Sequence, residues 1–252
     1  MSHVNNQGVR IHYQVEGEGP PLVLQHGSLD SIESWYELGY VDALKAAYQL
    51  ILIDARGHGA SDKPHDANAY GLQRMVDDIR AVLDERHIPK THFWGYSMGC
   101  WIGFGLAKYM PERCASLILG GQAPYARSFE FRRQQVRRGI EQGIEALVAS
   151  LKTQYGEVWP GYTARLRTID LEAQLALAQD RPSLEDVFPT MAMPCLLYAG
   201  EADANYPGVK ACYKLIPNVT FVSFPGLNHP EVFMQLQVVL PHITQFLATV
   251  PA

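Results

Sequence analysis

Ser97 stands between Gly95 and Gly99 in the run Phe93-Trp94-Gly95-Tyr96-Ser97-Met98-Gly99. With a short apolar stretch before it and a helical one after it, this serine reads as a nucleophile on a sharp strand-to-helix turn. Such a turn strains the serine backbone, and the flanking glycines let strand and helix approach closely. A hydroxyl is a poor nucleophile at neutral pH and needs a base within hydrogen-bond reach. Of the nine histidines, His229 is the best candidate, because Pro225-Gly226-Leu227-Asn228-His229 directly follows the last apolar strand. The base in turn needs a carboxylate to fix its tautomer and stabilise its charged form. Asp203, in Gly200-Glu201-Ala202-Asp203 after the preceding apolar strand, suits that role, with Glu201 as its competitor. Charge developing on a carbonyl oxygen needs preorganised donors. The Met98 backbone N–H and the Ser28 N–H in His26-Gly27-Ser28 are the expected pair. The chemistry these residue types suit is acyl transfer through a serine ester.

The elements that must position them follow from patterning. Residues 9–15, 22–25, 50–53, 91–94, 116–119, 195–198 and 220–224 read as strands. Helices are expected around 41–47, over 71–87, and over 100–110, where Pro111 stops the last of these. A final helix is expected over 231–249, with Pro241 kinking or dividing it. Strands alternating with helices imply a mostly parallel sheet covered on both faces, an α/β fold. Between these, residues 122–191 are polar, helical and arginine-rich, without a strand. That block reads as a helical insertion over the C-terminal edge of the sheet, where such sheets hold their ligands. The expected division is a core of 1–121 and 192–252 with a helical cap of 122–191.

Composition excludes several function classes. A net charge of −5 gives no basic field to attract nucleic acid. No apolar run approaches the roughly 18 residues of a membrane span. Residues 1–7 lack the apolar stretch of a signal peptide. Four cysteines lie scattered in apolar segments without CxxC spacing, as reduced core thiols would. The expectation is a cytoplasmic protein acting on a small molecule without metal or cofactor; composition leaves the oligomeric state open.

Five motifs in order resemble the α/β-hydrolase fold superfamily, in its capped serine esterase form. They are His26-Gly27, Asp54-Ala55-Arg56-Gly57-His58-Gly59-Ala60-Ser61, Gly95-Tyr96-Ser97-Met98-Gly99, Gly200-Glu201-Ala202-Asp203 and Gly226-Leu227-Asn228-His229. The resemblance covers roughly residues 8–121 and 192–249. It implies a Ser97–Asp203–His229 triad in the family's chain order, and an Asp54–Ser61 loop that is a structural turn rather than a metal site. Cys100 stands where relatives often carry another glycine and is expected to pack as core. A serine nucleophile sets aside the dehalogenase and epoxide hydrolase chemistries, which attack with aspartate. The implied reaction is hydrolysis of a carboxylic ester, lactone or thioester. Hydrolysis of a carbon–carbon bond in a β-diketone-like compound uses the same triad, and a slow-turnover ligand receptor is a third reading.

Within the insertion, residues 129–138 read as a helix with a solvated arginine-rich face. One arginine reaching into the site would favour an acidic substrate. Tyr125, Trp159 and Phe188, with Tyr162, are candidates to line the substrate pocket, although core packing explains them as well.

Overall fold

The alternation of side chains along each strand decides the layering. In the computed structural model, which describes residues 2–250, Val23, Ile51, Ile53, Phe93, Leu117 and Leu197 point to one face of a sheet. Their neighbours Leu22, Leu24, Leu50, Leu52, Trp94, Ile118 and Leu196 point to the other. Both faces are buried, so the strands read as continuous apolar runs and helices must cover each side. The first half of the chain forms β1 (Ser2–Asn6), β2 (Val9–Glu16), β3 (Pro21–Gln25), α1 (Glu33–Glu37), α2 (Tyr40–Leu44) and β4 (Gln49–Ile53). α3 (Leu72–Glu85), β5 (Thr91–Tyr96), α4 (Met98–Tyr109) and β6 (Cys114–Gly120) follow. Then come four helices without a sheet strand: α5 (Glu130–Gln142), α6 (Ile144–Tyr155), α7 (Pro160–Leu166) and α8 (Leu171–Leu177). The chain returns to the sheet with β7 (Cys195–Gly200), α9 (Tyr206–Cys212), β8 (Val219–Phe224), α10 (His229–Met234) and α11 (Leu236–Ala248).

The eight strands lie in the order β1-β2-β4-β3-β5-β6-β7-β8, antiparallel through β1, β2 and β4 and parallel from β4 to β8. This is the α/β-hydrolase architecture that the motifs implied. Three local features differ from the sequence expectation. β1 is polar and exposed, and pairs through a two-residue turn in which Gln7 and Gly8 both take positive φ. Two short helices, α1 and α2, replace the single helix expected around 41–47. The C-terminal helix divides at Gln235 (ψ 63°) rather than at Pro241, which lies inside α11. The Tyr40 hydroxyl donates to the Phe233 carbonyl at 2.9 Å, occupying an acceptor that a continuous helix would use.

The crossing of β5 into α4 is the tightest point of the molecule. A Cβ on Gly95 would overlap the Gly99 carbonyl, and one on Gly99 would overlap the Gln25 carbonyl of β3. α4 is buried along most of its length, with Gly103 against Phe93 and Gly105 against α3. Cys100 is buried and its thiol donates to the Gln122 carbonyl at 3.0 Å, which fits the expected core role. Gly95→Ala and Gly99→Ala should each destabilise the fold by at least about 1–3 kcal/mol, because backbone rather than a mobile side chain must yield. Urea melts measure this, and a G99A protein melting with the parent would contradict it.

Candidate active site

Ser97 ends β5 and precedes α4 with φ 55° and ψ −109°, a backbone geometry that costs a non-glycine residue about 1–3 kcal/mol. Its N–H donates to the Gly120 carbonyl at 2.8 Å, and its carbonyl accepts from Trp101 N–H at 3.2 Å. The residue is therefore fixed at both ends while its side chain opens on a cavity. A Cβ on Gly27 would lie 3.3 Å from Ser97 Cβ and 3.8 Å from its Oγ, so the bare glycine leaves space beside the hydroxyl.

His229 is the first residue of α10. Asn228 caps that helix, and Glu231 returns the bond in a reciprocal capping box. The imidazole Nδ1 lies 2.6 Å from Asp203 Oδ2. A carboxylate only accepts, so Nδ1 donates and Nε2 is left to take a proton. The other Asp203 oxygen accepts from Asn205 N–H at 2.8 Å, and the residue is buried. Glu201, the competing carboxylate, instead accepts from the exposed Ser223 hydroxyl at 2.8 Å. Tyr96 donates to the His229 carbonyl and stacks on Phe233, so the residue before the serine also tethers the histidine. Tyr155 of α6 lies over the imidazole, ring centroids 6.0 Å apart.

Ser97, Met98, Gly27, Ser28 and His229 line one cavity, in which about 140 Å³ is open to the centres of water molecules. Trp159 faces it, with Tyr162 and Tyr155. Tyr125 and Phe188 do not: they pack on one another at 6.4 Å, and Phe188 lies in the core against Phe104. Arg132 is the arginine of the 129–138 helix that reaches the cavity, while Arg133 pairs with Glu130 and Asp180. Arg127 and Arg181 also line the cavity. Sequence reasoning missed both, because they meet through an isolated β-bridge between distant segments.

The alpha/beta hydrolase fold family matches residues 20–154. The chain belongs to that family. This alpha/beta hydrolase fold protein is 26% identical over 271 residues to a Bacillus subtilis (strain 168) protein provisionally named 2-succinyl-6-hydroxy-2,4-cyclohexadiene-1-carboxylate synthase, covering 95% of this chain and 96% of that one. Its fold is similar to that of an enol-lactonase from Burkholderia xenovorans LB400, with TM-score 0.86, 21% identity, and 98% and 100% of the two chains covered. An esterase from Rhodococcus sp. ECU1013 gives TM-score 0.83 at 23% identity, covering 99% and 98%. Among the described residues no helix is long and apolar enough to cross a membrane.

In this hydrolase-fold chain the loop that carries Ser28 is held from beneath by a buried polar cluster. Ala55 N–H donates to His26 Nε2 at 3.1 Å, which leaves His26 Nδ1 to donate to the Gly27 carbonyl at 2.7 Å. Leu29 takes φ 64°; its N–H donates to His58 Nε2 at 3.2 Å, and its side chain packs with Leu147, Val148, Leu151 and Leu166. The Asp54 carboxylate is engaged by His12 Nδ1 at 2.8 Å and by the Ile32 and Ala60 N–H groups at 2.9 Å each. Burial opposes its ionisation, but those bonds hold its pKa down at about 2. Asp54 and His58 thus serve a structural turn.

Burial, with the neighbouring His26, pushes the His58 imidazole down to about 3. In the unfolded chain it titrates near about 6.5. Between those values the unfolded state takes up a proton that the folded state refuses, so stability present above pH ~6.5 is lost on acidification toward 3. His58→Gln should flatten that acid limb by up to about one proton, or about 1.4 kcal/mol per pH unit. Urea melts at several pH values between 7 and 4 measure it; parallel limbs for parent and variant would contradict the assignment.

Proposed function

We propose that the protein is a serine hydrolase that cleaves a carboxylic ester, or a lactone or thioester, through an acyl-enzyme on Ser97. The reading is supported most directly by the buried Asp203 carboxylate bonded to His229 at 2.6 Å, with that imidazole facing the same cavity as a strained, helix-capping serine. Enol-lactonase and esterase likenesses agree with this reaction class.

As Ser97 Oγ attacks the substrate carbonyl, its proton passes to His229 Nε2 and a C–O bond forms. Asp203 stabilises the imidazolium and keeps its ring in register. The oxyanion meets the Met98 N–H at the start of α4 and the Ser28 N–H of the loop after β3. His229 then gives its proton to the leaving oxygen as the ester C–O bond breaks. Water enters, loses a proton to the same nitrogen and releases the acid. No step draws on a cofactor. Residues 122–191 act as a cap over the core of 1–121 and 192–252, with Trp159 part of the substrate wall.

Ser97→Ala and His229→Gln should each lower kcat on p-nitrophenyl esters by about 10³–10⁶-fold. Asp203→Asn should cost about 10⁴-fold, because it presents the wrong tautomer. Steady-state kinetics across graded acyl chains, with lactones in parallel, measure these losses. Activity of the Ser97→Ala protein at the parent level would sink the proposal.

A further inference from the structure

Resting on the serine hydrolase reading, we infer that the substrate is itself an anion, its carboxylate or phosphate held by Arg181 and Arg132, with Arg127 at the rim. All three line the cavity shared by Ser97 and His229. Arg181 is only 6% exposed, and its guanidinium is sandwiched 3.9 Å from the Trp101 ring and 4.4 Å from the Phe129 ring. Stacking satisfies the faces of that plane but none of its N–H groups, and the side chain makes no hydrogen bond within the described residues. Arg132 Nη1 is likewise buried without a partner. Arg127 donates to Gln122 Oε1 at 2.9 Å and to Asn205 Oδ1 at 3.3 Å, both neutral acceptors.

Among the described residues no carboxylate pairs with any of the three, whereas Arg56, Arg80, Arg113, Arg133, Arg165 and Arg167 are each paired. Asp30, the carboxylate on the same cavity wall, is already neutralised by Arg165 at 3.0 Å. Buried charges without counterions are costly, and like charges gathered on one wall add repulsion. Burial and the charges of Arg127 and Arg132 pull the Arg181 ionisation down to about 9, so it stays cationic at neutral pH. A ligand anion supplies the missing counter-charge, and a guanidinium edge suits the paired oxygens of a carboxylate or phosphate. Trp101 lies one turn beyond the serine in α4, so Arg181 stacks on the helix that the serine caps.

Calorimetry on the Ser97→Ala protein with glutarate, methyl phosphate and uncharged pentane-1,5-diol tests binding without catalysis. At least one anion should bind and the diol should not, and the better anion identifies the group preferred. Arg181→Gln should weaken that binding about 10–100-fold, the worth of a charge-assisted bond. Arg132→Gln should weaken it too, which keeps the test decisive if the first variant misfolds. With active protein, kcat/KM for p-nitrophenyl hemiglutarate should exceed that for p-nitrophenyl pentanoate, and the ratio should fall about tenfold or more in either variant. Anion binding without turnover of either ester would overturn the hydrolase reading and leave the anion site standing. Equal turnover of both esters, with neither anion bound, would overturn the anion site and leave hydrolysis standing.

Discussion

At Ser97 the backbone must leave β5, reverse into α4 and hold a positive φ, and everything near the site is arranged around that corner. The corner exists because Gly95 and Gly99 let α4 descend onto β5 and β3, where any Cβ would meet a carbonyl. Tertiary burial on both faces of the sheet supplies the stability that offsets the local strain. Ser97 is fixed through Gly120 on one side and Trp101 on the other, so its hydroxyl direction is a property of the sheet rather than of a loop. Tyr96, one residue earlier, ties the same corner to the backbone of His229.

The loop after β3 is secured differently. His26 within it and His58 from the loop after β4 each accept an N–H on one ring nitrogen and donate an N–H to a carbonyl from the other. Leu29 extends this loop into the apolar cluster of α6 and α7, and Asp30 binds Arg165 in the last turn of α7. Arg165 also pairs with Glu37 at 2.7 Å, and Glu37 accepts from Trp159 Nε1 at 2.9 Å. The helices between β6 and β7 are thus joined to the loop that carries Gly27 and Ser28, two residues of the cavity wall.

Much of this was legible in the sequence because it is local. Ser97, Asp203 and His229 each follow an apolar strand in a short glycine-bearing motif, so a parallel sheet brings all three to one edge. Short continuous apolar runs marked the buried strands in order. What was not legible depends on long-range pairing. β1 is polar and exists only because β2 offers it an edge. The break at Gln235 depends on Tyr40, distant in sequence. Arg181 looks like any loop arginine until Trp101 and Phe129 enclose it. Tyr125 and Phe188 share the aromatic character of a pocket wall, but aromatic rings pack on one another equally well: Phe188 lies in the core and half-buried Tyr125 packs against it.

His229, held by Asp203, is proposed to activate Ser97 as a nucleophile. Fluorophosphonate labelling followed by peptide mapping by mass spectrometry reads this directly, since the reagent reports an activated serine rather than an exposed one. One phosphonyl group per chain on the Ser97 peptide, absent in the His229→Gln protein, is the expected result. An unlabelled Ser97, or labelling that persists undiminished without the imidazole, would contradict the account.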